Sequence, residues 1–151
     1  MRATAIQGFV RRLLTHEAAG RQDEDALLAA VERISDKLRV HLSNRIGQEG
    51  VRTLLARALT LTTTQFPRLS TARVEADGSL AGLRGAISPG SHEPGDKEPQ
   101  RETIEGAVAF VAHFLALLVT FIGADLTLRI LSVVWPELTF DDATGWETET
   151  P

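Results

Sequence analysis

Apolar residues recur along the first half of this chain with the 3.6-residue period of a helix, and their spacing divides it into three amphipathic segments. Ile6, Phe9, Val10, Leu13 and Leu14 fall at i, i+3, i+4, i+7 and i+8, a single stripe opposite Gln7, Arg11, Arg12 and Glu17 on the wet side. Gly20 marks the end of that helix, since a left-handed terminal residue is cheapest without a Cβ. The Asp23-Glu24-Asp25 cluster starts a second helix, its carboxylates suited to the positive end of the helix dipole. Leu27, Val31, Ile34, Leu38 and Leu42 then repeat at spacings of four, three, four and four. On the other faces, Glu32/Asp36 and Arg33/Lys37 are like-charged at i+4, so the apolar stripe and not charge pairing holds this helix in place. Gly47 and Gly50 bracket a break, and Val51, Leu54, Leu55, Ala58, Leu59, Thr62 and Phe66 define a third helix that Pro67 stops. Its last turn is weakened by the β-branched threonines of residues 60–64.

The pattern then changes. Ala72-Arg73-Val74-Glu75 reads as a short extended piece and Asp77-Gly78 as a turn, giving at most a small hairpin before Leu80 and Leu83. Residues 88–102 contain three of the six prolines and no large apolar side chain up to Gln100. Such a stretch buries too little to offset its ordering entropy, which predicts a flexible loop.

Gly106 to Ala124 comes next, nineteen residues without a charge, and the apolar character continues through Leu126, Leu128, Ile130, Leu131, Val133 and Val134 to Trp135-Pro136. Within the run, Val108, Val111, Leu115, Leu118 and Ile122 form a bulky stripe. Gly106, Ala109, His113, Ala116, Thr120 and Gly123 form a small, weakly polar one, which invites another backbone to come close. These six residues are the candidate interaction site, covered by a neighbouring helix or by a second copy of the chain.

Nineteen residues at 1.5 Å each also match the ~30 Å hydrocarbon thickness of a bilayer. Against a transmembrane helix at 106–124 stand His113 in the middle of the run, flanks without a bias of positive charge, and the lack of aromatic anchors at its ends. The two-faced pattern favours a central bundle helix. Ile46-Gly47-Gln48-Glu49 followed by Leu54-Leu55 echoes Ile122-Gly123-Ala124-Asp125 followed by Ile130-Leu131. The match is short and made of common residues, and reads as coincidence more readily than as two related helix–break–helix units.

Together these elements predict an all-α, single-domain bundle of four to five helices over 1–140, with a frayed, disordered acidic tail at 141–151. The 151 residues suffice for a core without metal or disulfide. There is no cysteine, which removes disulfides, thiolate metal sites and thiol nucleophiles together. The N-terminus enters an Arg-containing amphipathic stretch, not the unbroken apolar run of a secretory signal, so the expected location is cytoplasmic. Charge is split: residues 1–73 have 12 basic and 7 acidic side chains, net +5, and residues 74–151 have 4 and 13, net −9. The halves are expected to attract each other on folding.

Reactive constellations are absent from the pattern. The acid pairs Asp23/Asp25 and Asp141/Asp142 suit capping and solubility, Ser35, Ser43 and Ser132 lack a sharp glycine-flanked turn, and Gly78, Gly82 and Gly85 are followed by no Lys-Ser/Thr. His16, His41 and His92 have no carboxylates at metal-binding spacing, so no metal or cofactor is predicted. His113 reads as a core histidine satisfied by a neighbouring carbonyl or hydroxyl, with a ligand- or haem-binding bundle as the weaker alternative. Arg33, Lys37, Arg39, Arg45, Arg52 and Arg57 are spread around their helices and lack aromatic neighbours, unlike a nucleic-acid surface. The function expected is a non-enzymatic protein–protein interaction or regulatory module, forming a homo-oligomer through its apolar C-terminal helices. A single-span, membrane-associated protein is the alternative.

Overall fold

The computed structural model describes residues 3–21, 23–83 and 98–138, and within them the chain is all-α. Helices α1 (Ala3–Glu17), α2 (Glu24–Gln65), α3 (Glu98–Ile122) and α4 (Ala124–Val134) are joined by a 3₁₀ turn at Pro67–Thr71 and a two-stranded hairpin. The expected tail at 141–151 lies outside the described residues, as does most of the expected loop, residues 88–97.

The N-terminal stripe is buried as its period requires: Ile6, Phe9, Val10, Leu13 and Leu14 all lie in the core. α1 ends in a Schellman arrangement, with Gly20 N–H donating to Thr15 O at 2.9 Å and Ala19 N–H to His16 O at 3.1 Å. The first left-handed residue is Ala19, at φ 54°, one position earlier than Gly20 suggested; Gly20 follows at φ 82°. α2 starts where expected, the Asp23 side chain accepting from Ala26 N–H at 3.2 Å. The second and third helices of the sequence pattern are two arms of α2, bent at Gly47, while Gly50 is helical. The threonine-rich end is helical through Gln65, and there Thr60, Thr62 and Thr64 satisfy their hydroxyls on the carbonyls of Ala56, Ala58 and Thr60. The hairpin pairs Arg73–Val74 (β1) with Leu80–Ala81 (β2), antiparallel, with Val74 opposite Leu80.

The loop expected at 88–102 is too long at its C-terminal end, since residues 98–102 are the first turn of α3. Pro99 sits at the second helical position, where its missing N–H has no partner to lose, and a proline that signals a linker in the sequence instead opens a helix. α3 runs through the middle of the fold, packed on α1, α2, the 3₁₀ turn and α4. Its Val108, Phe110, Val111, Phe114, Leu115 and Leu118 are buried against the α1 stripe and against Leu27, Val31, Ile34, Leu38 and Leu42.

The sequence echo is structural. Gly47 stands at φ 81°, ψ 159° and Gly123 at φ 92°, ψ 156°, nearly the same point of a region that only glycine enters freely. At the same offset of 76 residues, Leu38 and Phe114, Leu42 and Leu118, Val51 and Thr127, and Leu55 and Leu131 are all buried. Two helix–glycine–helix units therefore place these core positions alike.

An added Cβ meets nothing within 4 Å at either glycine, so a substitution there costs backbone strain alone. Gly47→Ala and Gly123→Ala are each expected to lower stability by about 1–3 kcal/mol in urea denaturation, with the helical circular dichroism retained.

Candidate functional site

The six small-stripe residues occupy one flank of α3 and its exit, and their environments differ. Gly106 is buried: a Cβ there would stand 2.6 Å from Leu69 Cδ1 and 3.3 Å from Phe66 Cβ, so the close approach is made by this chain's own 3₁₀ turn. Ala109, His113 and Ala116 are half-buried, and Thr120 and Gly123 are exposed. Thr120 donates to Ala116 O at 3.0 Å, and Gly123 is the break that turns α3 into α4.

His113 Nε2 lies 3.3 Å from Gln65 Oε1, so a side-chain amide supplies the partner. Burial lowers its pKa below the ordinary 6.5, and the ring is neutral at neutral pH. α3 thus presents an uncharged flank between Glu105 and Asp125. Toward its end Phe121 is 62% exposed, and Leu61 on α2 is 41% exposed. Leu61 lies one turn before Gln65, level with the turn of α3 that follows His113.

The other candidates are engaged locally. Ser43 and Ser132 donate to the carbonyls of Arg39 and Leu128, and Ser35 is buried. Gly78 and Gly82 belong to the hairpin, while Gly85, His92 and the Asp141/Asp142 pair lie outside the described residues. Among the described residues no group of three His, Asp or Glu side chains is placed to hold a metal ion. Four of the basic side chains are engaged by acids of this chain: Arg39 pairs with Asp36, Arg52 with Glu49, and Arg33 and Lys37 with Glu17.

The helical pattern puts Glu17 on the wet side of α1, yet its side chain is only 6% exposed. It accepts from Lys37 Nζ, from Arg33 Nε at 3.4 Å and from Trp135 Nε1 at 2.6 Å, while Arg33 also donates to the Glu17 backbone carbonyl. The Lys37 ammonium stands 5.9 Å from the centre of the buried Trp135 ring, and His16 lies 3.7 Å from Glu137 alongside. Burial pushes the Glu17 carboxyl up, but the hydrogen bonds from Lys37 and Trp135 and the charge of Lys37 outweigh it and hold the pKa below 4.5. One carboxylate thereby joins the end of α1, the first arm of α2 and the segment after α4. The sequence signal for it is the like-charged pair Arg33/Lys37, which calls for an acid from another element.

Among the described residues one helix, Arg101–Ile122, is long and apolar enough to cross a membrane by length and composition. Comparison with family models, with curated proteins and with solved structures finds no match to the chain.

Glu17→Ala leaves the buried Trp135 N–H without its acceptor and is expected to cost about 1–3 kcal/mol at neutral pH. Because the folded pKa of Glu17 lies below its unfolded value, its contribution is present above the unfolded value and lost as pH falls through the folded one. Wild type should therefore lose more stability than Glu17→Gln between about pH 6 and about pH 3, read from urea midpoints.

Proposed function

We propose that the chain is a non-enzymatic, cytoplasmic interaction or regulatory module that self-associates through the outer flank of α3. The observation that carries this reading is the flank itself. Ala109, His113, Ala116 and Thr120 carry no charge, and the exposed Phe121, next to Thr120 in the chain, and Leu61, one turn before Gln65, add open apolar side chains toward the same end of α3. Small residues let a second helix come close, and a large exposed aromatic beside them supplies the anchor that interfaces favour. A symmetric pair needs only one such patch, because each copy offers the same surface to the other. Neutral His113 adds no charge to be desolvated at neutral pH.

The membrane-span alternative uses the same helix and draws on its length and hydropathy. The cover that α1, α2 and α4 already give α3 supports the interaction reading, since a lone span would keep its apolar faces for lipid. A ligand- or haem-binding role for His113 competes with the contact its ring makes to Gln65.

Light scattering on purified chain should give twice 16.4 kDa at micromolar concentration, and Phe121→Asp or Ala116→Glu should return it to 16.4 kDa with helicity unchanged. A mass of 16.4 kDa for wild type at every concentration would overturn self-association. A cell pellet that keeps the protein through a carbonate wash would favour the membrane reading instead.

A further inference from the structure

A groove of about 430 Å³ runs between the first arm of α2 and α4, lined by Val40, Asn44 and Arg45 on one side and Arg129, Ile130 and Val133 on the other. It is separate from the α3 flank. Two features mark it as a receptor. Val40 and Val133 at its rim are 55% and 62% exposed, among the most open large apolar side chains of the described residues. Arg45 and Arg129 have no ion pair among the described residues, even though Asp125 stands one turn before Arg129.

The groove has a direction. Lys37 of α2 meets Trp135 just past α4, so the two helices run antiparallel. Moving away from Trp135, the groove offers the valines first and the arginines, with Asn44, last. The described chain ends at the Trp135 side, where Leu138 N–H donates to Trp135 O at 3.2 Å. The next residues in sequence are Thr139, Phe140, Asp141 and Asp142, followed by Trp146, Glu147 and Glu149. An aromatic ring precedes two carboxylates, in the same order as two valines precede two guanidiniums. Spacing agrees as well: Val133 to Arg129 is about 6 Å along a helix, and Phe140 to Asp142 about 7 Å in extended chain.

We propose that the C-terminal segment 139–151 of the same molecule folds back into this groove, seating Phe140 between Val40 and Val133 and pairing Asp141 and Asp142 with Arg45 and Arg129. An apolar anchor flanked by charge-assisted pairs is the way short acidic peptides are held on helical grooves. The groove volume, near the lower end for ligand pockets, suits one aromatic side chain on an extended strand of peptide better than a whole helix. Docking gives two unmatched cations, Arg45 of the basic half and Arg129 of the acidic one, a share of the acidic excess near the C-terminus.

The test uses the full chain. Nuclear Overhauser contacts from the Phe140 ring to the Val40 and Val133 methyl groups are expected in wild type, and in a mixed-label sample they should arise within one molecule. Chymotryptic cleavage after Phe140 should quicken several-fold in Arg45→Glu with Arg129→Glu. Adding Asp141→Lys and Asp142→Lys to that variant should return the rate toward wild type, with circular dichroism unchanged throughout. Missing Phe140 contacts in wild type, contacts found only between molecules, or a charge swap that restores no protection would each overturn the proposal. The first two outcomes are read on unaltered protein and so do not depend on the variants folding.

Discussion

The nineteen uncharged residues from Gly106 to Ala124 set the constraint to which the other elements answer. Six large side chains of α3 are buried, and at about 1.5–3 kcal/mol each their transfer from water amounts to roughly 9–18 kcal/mol as an upper estimate. The exposed ion pairs of the structure, such as Arg11 with Glu105 at 2.9 Å between α1 and α3, are worth at most about 1 kcal/mol apiece. Charge therefore adjusts a fold that apolar burial has already chosen. α1 and α2 pack on α3, the 3₁₀ turn lies on Gly106, and α4 folds back against the helix it has just left.

Covering a long helix with elements from one short chain demands sharp changes of direction, and glycine supplies them twice at the same backbone conformation. Gly47 lets α2 cover α3 with two differently directed arms, and Gly123 lets the apolar run fold against the helix it has just left. The matched burial 76 residues apart shows one solution used in both halves: a core-facing helix, a glycine outside the range of other residues, and a second helix that resumes the apolar stripe. The halves diverge after the second helix, where one leads into Pro67 and a hairpin and the other into Trp135 and the acidic end.

Much of this was legible because periodicity reports burial directly. Every residue of the Ile6-to-Leu14 stripe and of the Leu27-to-Leu42 stripe is in the core, and the hairpin at Asp77-Gly78 lies where its turn signal put it. What escaped the sequence were matters of context. Pro99 has opposite meanings in a linker and in a first helical turn, and only the packed Thr103 and Gly106 beyond it decide between them. Of the small stripe, Gly106 could be read as a site of close approach but not as one closed by Leu69, which arrives from 37 residues away. Glu17 was hardest, because a glutamate near the end of an amphipathic helix looks like any solvated residue until three donors from distant elements converge on it.

That convergence gives Glu17 a role that apolar burial cannot supply. A carboxylate on the last residue of a helix meets the negative end of its dipole, and Arg33 and Lys37, one turn apart on α2, repel each other slightly. Each arrangement is unfavourable alone. Together they cancel, since the two cations neutralise the carboxylate, Arg33 also satisfies the terminal carbonyl of Glu17, and Trp135 fills the remaining acceptor site. Apolar stripes of α1, α2 and α4 tolerate sliding by a turn with modest loss, whereas a buried carboxylate with three directed donors is satisfied in one register only. The hydrophobic run decides that the helices come together, and this polar junction decides where along their lengths they stop.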